Sequence, residues 1–152
     1  MDKTSSSKGK SRSKTPTASS TAARQRMRGT AQRDTQGELA LRGELTRLRL
    51  RYRVNVKLPG TRRTADIAFI RLKVAVFVDG CFWHGCPVHG TWPRANAEWW
   101  RAKIEANRQR DNDTNHRLRL GGWLVLRFWE HVDPSVAATC VLKALAAKQQ
   151  GV

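Results

Sequence analysis

The chain has 152 residues, enough for one domain with a real core and too few for two. Its 29 lysines and arginines against 12 acids give a formal charge of +17, which points to a polyanionic partner, nucleic acid before any other. No apolar run approaches the roughly 18 residues of a spanning helix and the N-terminus lacks the apolar core of a signal peptide, so neither a membrane nor a secreted protein is expected.

Residues 1–23 are Ser, Thr, Lys, Gly and Ala with almost nothing apolar to bury, the composition of a disordered basic tail. Such a tail adds salt-sensitive phosphate contacts without sequence information. From Thr35 the pattern turns helical, with Leu41, Leu45, Leu48 and Tyr52 predicted on one face, and Thr35 followed by Glu38 fits a capping box. Runs at 52–56, 65–70 and 74–78 read as a β-meander. Asp66 stands inside the second run, Ala65-Asp66-Ile67-Ala68-Phe69, where a carboxylate is costly to bury unless it is paired or holds a cation. A magnesium ligand and a solvent-facing residue of an edge strand are both open; Glu38 is a second candidate ligand beside its capping role.

The third run leads into Cys81-Phe82-Trp83-His84-Gly85-Cys86-Pro87-Val88-His89. The soft donors Cys81, Cys86 and His89 suit zinc and leave His84 spare, while a disulfide or two buried thiols is the alternative. Hard oxygen ligands beside an imidazole suit metal-assisted phosphodiester hydrolysis, in which His84 takes the proton of the attacking water. Asn96 is placed to cap a long helix carrying Trp100, Ile104 and Asn107, interrupted near 111–115, resuming to Leu120 and ended by Gly121-Gly122. Residues 123–129 alternate like a buried strand with Trp123 and Trp129 in the core. Asp133-Pro134 opens a last helix over 135–148, in which Cys140 reads as a small core residue. The order α, β, β, β, α, β, α predicts an α/β sandwich around a mixed sheet.

The motifs Cys81-Phe82-Trp83-His84, Trp92-Pro93, Asn96, Trp99-Trp100, Lys103-Ile104, Asn107, Arg110-Asp111, Gly122-Trp123 and Trp129-Glu130 closely resemble those of the very short patch repair (Vsr) mismatch endonucleases. The likeness runs from about Arg24 to about Val132 and includes Arg33-Asp34-Thr35 and Leu58-Pro59-Gly60. It implies a restriction-endonuclease-like α/β/α sandwich over residues 24–150, with a central mixed sheet and a structural zinc. It also implies an enzyme that nicks one strand 5′ of the thymine in T·G mismatches left by 5-methylcytosine deamination.

Carried over by position, the resemblance implies catalytic roles for Asp66, His84, Glu38 and Asp111. Magnesium would lie at Asp66 and the Val78 backbone carbonyl, and zinc at Cys81, Cys86, His89 and His131. DNA contacts would come from Met27, Phe82, Trp83, Trp100, Lys103 and Asn107, the aromatic rings entering the stack where unstacking costs least, beside a weakened pair. The implied setting is a monomer in the bacterial cytoplasm, at the nucleoid, acting on mismatched duplex DNA with a MutL-like partner. Three departures stand out, one being that Val78 offers a cation only its backbone carbonyl and no nearby strand pair supplies the Glu-x-Lys typical of restriction enzymes. Asp79 occupies a place where better-known members can have histidine, and reads as a metal ligand or a turn residue; the link 61–64 is longer than usual, so base context can differ. Alternative readings are a non-catalytic zinc-containing mismatch-binding module and a restriction-type endonuclease that cuts homoduplex.

Overall fold

The computed structural model describes residues 34–81, 83–88 and 94–151, so the expected tail, Met27, Phe82 and His89 lie outside it. Helix α1, Gln36–Arg47, begins where the Thr35 hydroxyl accepts the Glu38 N–H, and it turns Leu41 and Leu45 inward. Arg49 then takes a left-handed conformation (φ 58°) and ends the helical path, so Tyr52 is not on the helix face that its spacing predicted. Its ring instead meets Phe69 edge-on and its hydroxyl donates to the Arg42 carbonyl.

Strands β1 (Arg53–Lys57), β2 (Thr64–Phe69) and β3 (Val74–Asp79) form the expected antiparallel meander, with Val54 opposite Ile67 and Ile67 opposite Val76. Strand β4, Leu124–Trp129, pairs with β3 in parallel from Val74↔Leu124 to Asp79↔Trp129, which makes the sheet mixed. A parallel partner requires a long crossover, and helix α2, Ala97–Leu120, supplies it. Helix α3, Pro134–Gln150, closes the fold with Asp133 accepting the Ser135 N–H at its start. The sheet order β1-β2-β3-β4 makes β2 an interior strand, which removes the edge-strand explanation of Asp66.

Alternation along β3 feeds two cores. Val74 and Val76 pack with Leu41 and Leu45 of α1 and Val141 and Leu145 of α3, whereas Ala75 and Phe77 pack with Leu118, Trp123 and Val125. Helices therefore cover both faces of the sheet. Three local expectations are corrected. Asn96 is left-handed and makes no side-chain capping bond. Helix α2 runs without a break through 111–115, where Asp111 and Asn115 have partners across the site. Cys140 is exposed, since the buried stripe of α3 passes through Ala137, Ala138, Val141 and Leu145. Among the described residues, no helix is long and apolar enough to cross a membrane.

Leu45 is 0% exposed and Leu39, on the same helix, 52%. Leu45→Ala is expected to lower the free energy of unfolding by about 2–5 kcal/mol, and Leu39→Ala by less than about 0.5 kcal/mol, read from urea denaturation midpoints.

Candidate active site

The parallel β3–β4 pair and the reversed β2 bring their chemistry to one end of the sheet. Asp66 lies near the start of β2, and Asp79 ends β3 opposite Trp129. The Val78 N–H donates to Asp66 Oδ2 at 2.7 Å, which fixes the carboxylate against β3 and leaves Oδ1 without a hydrogen-bond partner among the described residues. Burial pushes the Asp66 carboxyl up to about 7, and the charges of Glu38 and Asp79 push the same way against the Val78 hydrogen bond and Arg127. A cation beside Oδ1 would relieve that cost.

Glu38 is 2% exposed at the start of α1. One of its oxygens, Oε2, accepts from the Asp34 N–H at 2.9 Å and from Arg42 Nη2 at 3.3 Å, while Oε1 has no partner among the described residues. The capping-box reading is thus half right: Glu38 reaches back to the residue before Thr35. Asp66 and Glu38 each offer one spare oxygen, a donor set suited to a hard divalent ion.

The loop after β3 delivers the imidazole. His84 Nδ1 lies 2.5 Å from Asp111 Oδ2 and 4.0 Å from Asp79 Oδ1, and Nε2 has no partner among the described residues. Burial alone would lower the His84 pKa, but the Asp111 hydrogen bond and the charges of Asp79 and Asp111 outweigh it and raise it. Burial pushes Asp111 the other way, and its hydrogen bond and charge contact with His84, helped by Arg127 and Arg63, bring it below the usual carboxylate range. Asp111 is therefore no surface charge beside Arg110.

The loop itself is pinned on α2. Gly85 has φ +67°, and a Cβ there would stand 2.9 Å from Ile104 Cγ2, so glycine is needed both for the turn and for the close approach. Asn107 Nδ2 donates to the Trp83 carbonyl at 3.0 Å, and the Trp83 ring meets the buried Trp100 ring edge-on at 5.8 Å. Lys103, half-buried, lies on α2 one turn before Asn107.

At the loop base, Cys81 and Cys86 are free thiols rather than a disulfide. His131 Nδ1 lies 3.2 Å from Cys81 Sγ and 3.7 Å from Cys86 Sγ. A tetrahedral zinc with ordinary bond lengths separates sulfur from nitrogen by about 3.6 Å, so the three donors fit one ion. Burial and the neighbouring Cys86 push the Cys81 thiol up to about 11, and ligation would stabilise its thiolate.

Sequence reasoning missed Arg127 and underused Glu130. Arg127 Nη1 reaches both oxygens of Asp79, at 2.9 and 3.2 Å, and Asp111 Oδ1 at 3.6 Å. Burial raises the Asp79 carboxyl pKa, and the Arg127 and His84 charges only partly counter it. Asp79 is thus paired with Arg127 and is more than a bare turn residue. Glu130 Oε1 accepts the Cys81 N–H at 3.0 Å and ties the loop to the end of β4. The available signal for Arg127 was the one that exposed Asp66, a charge inside an apolar strand.

Residues 18–89 match the family described as DNA mismatch endonuclease Vsr. The chain is 42% identical over 120 residues to Type II nicking enzyme V.NaeI of Lentzea aerocolonigenes, covering 77% of this chain and 72% of that one. It is 41% identical over 120 residues to Type II nicking enzyme V.NmeDIP of Neisseria meningitidis serogroup C, covering 75% and 76%. With Type II nicking enzyme V.HpaIIP of Haemophilus parainfluenzae, identity is 40% over 97 residues, covering 62% and 67%.

The raised Asp66 pKa fixes the sign of a pH effect. A carboxyl at 3.8 unfolded and about 7 folded contributes stability that is complete below 3.8 and lost as pH rises through about 7. Thermal midpoints of magnesium-free protein are expected to fall over that window, magnesium to recover part of the loss at pH 8, and Asp66→Asn to flatten both responses. An unchanged profile in Asp66→Asn assigns the titration to another group.

Proposed function

Because the chain belongs to the Vsr family and is a DNA endonuclease, we propose that it nicks one strand of duplex DNA 5′ of the thymine in a T·G mismatch, by magnesium-dependent hydrolysis. The observation that carries this reading is the convergence of two carboxylates, half-buried Asp66 and buried Glu38, with a carboxylate-oriented imidazole, His84 on Asp111, at one end of a mixed sheet. Names of relatives as nicking enzymes support strand scission as the outcome.

Asp66, Glu38 and the Val78 carbonyl would hold the magnesium, which when bound neutralises the phosphate and the charge developing on the leaving oxygen. His84 Nε2 takes the proton of the water that attacks phosphorus, and Asp111 holds Nδ1–H, so that the ring keeps its direction and its imidazolium is stabilised. Cys81, Cys86, His131 and His89 would hold a structural zinc in the restriction-endonuclease-like domain of residues 24–150. Four protein ligands close such a site to substrate. Met27, Phe82, Trp83, Trp100, Lys103 and Asn107 would contact the DNA around the mispair, the basic tail adding phosphate contacts. The enzyme would act as a monomer in the bacterial cytoplasm, with a MutL-like partner.

Asp66→Ala and His84→Ala are each expected to lower single-turnover nicking of a T·G duplex by at least about 1,000-fold while retaining bound zinc and the wild-type circular dichroism spectrum. Full activity in either folded variant contradicts that residue's role. Tight mismatch binding by the wild-type protein with no product in magnesium would instead favour a binding module.

A further inference from the structure

Arg127 is an unusual side chain for its strand. It stands among Leu124, Val125, Leu126, Phe128 and Trp129, half-buried, where a guanidinium is tolerated only with its donors matched. Nε donates to Asn115 Oδ1 at 2.7 Å, Nη1 engages Asp79 and Asp111, and the guanidinium carbon lies 4.3 Å from the centre of the Phe77 ring. Strands β3 and β4 and helix α2 thus meet on one cation.

The consequence falls on His84. Two carboxylates face the same ring nitrogen, Asp111 Oδ2 at 2.5 Å and Asp79 Oδ1 at 4.0 Å from Nδ1. One Nδ1–H satisfies one acceptor well, and the acceptor sets the direction of Nε2. Asp79 gives Arg127 both oxygens at 2.9 and 3.2 Å, whereas Asp111 gives it only Oδ1 at 3.6 Å and keeps Oδ2 for the imidazole. We propose that Arg127 is a positioning residue for the nicking reaction: by engaging Asp79 through both oxygens it reserves His84 Nδ1 for Asp111 and so aims Nε2. The proposal rests on His84 being the base. It also gives Asp79 a purpose, as the partner that locates the guanidinium while being kept off the imidazole.

The test is single-turnover nicking of a T·G duplex at saturating protein, well below the melting temperature of every variant, together with nitrogen-15 shifts of the His84 ring. Arg127→Met is expected to lower the rate about 100-fold, the scale of a misplacement of about 1 Å, with little change in the protein concentration at half-saturation. Adding Asp79→Ala removes the competing acceptor and is expected to recover at least about tenfold of that loss. The ring nitrogens should show one arrangement in the wild type and the double variant, and a mixture in Arg127→Met. A double variant no faster than Arg127→Met, or an Arg127→Met enzyme at full rate, overturns the proposal. If Arg127→Met does not fold, Arg127→Lys takes its place, since a point charge cannot span Asn115 and two carboxylates, and recovery or its absence is read the same way. Failure of the underlying reading is distinct: His84→Ala would then nick at full rate whatever the Arg127 series does.

Discussion

The hydrogen bond between His84 Nδ1 and Asp111 Oδ2 joins a loop of the sheet to the middle of the crossover helix, and much of the architecture is what that bond requires. Helix α2 must run unbroken past the end of β3, with Trp100, Ile104, Asn107, Asp111, Thr114 and Leu118 along one face. The outer members of that row are buried in the protein, while Asn107 and Asp111 meet the loop. Gly85 lets the loop descend onto Ile104, and Glu130 anchors its start through the Cys81 N–H. The thiol and imidazole donors at Cys81, Cys86 and His131 cross-brace the same loop against the end of β4.

Electrostatics at this end of the sheet run against the rest of the chain. A protein of charge +17 gathers Glu38, Asp66, Asp79 and Asp111 into one region, and buries them at least in part. Each has a distinct compensation: Arg42 for Glu38, the Val78 N–H for Asp66, Arg127 for Asp79, and His84 for Asp111. Only Asp66 is left with its pKa pushed far toward neutrality, which marks it as the place where an added cation gains most. The basic exterior then has a complementary use, since it draws a polyanion toward a site whose own charges would repel one.

Much of this was legible in the sequence for a local reason. Strand alternation, the caps at Thr35 and Asp133, and the glycine stop at 121–122 are short-range signals, and apart from the early end of α1 the elements fall within a residue or two of their expected places. Asp66 and His84 stood out because a carboxylate in an apolar strand and an imidazole spare among soft donors each require an explanation. The failures have a common cause. Asp111 and Asn115 weakened the apolar stripe of α2 and suggested a break, when they face partners across the site. Arg127 went unread because its partners come from β3 and α2, and only the parallel pairing brings them together. Cys140 shared the apolar composition of α3 but not its buried stripe.

On the proposed reading, the Asp66 and His84 groups form one hydrolytic site aimed at a mismatched phosphate. Mapping the product of an end-labelled T·G duplex and its T·A homoduplex, with and without magnesium, tests it most directly. One nick is expected, 5′ of the mismatched thymine, on the T·G duplex in magnesium alone. Equal cleavage of the homoduplex, or nicking undiminished in magnesium-free buffer, would contradict it.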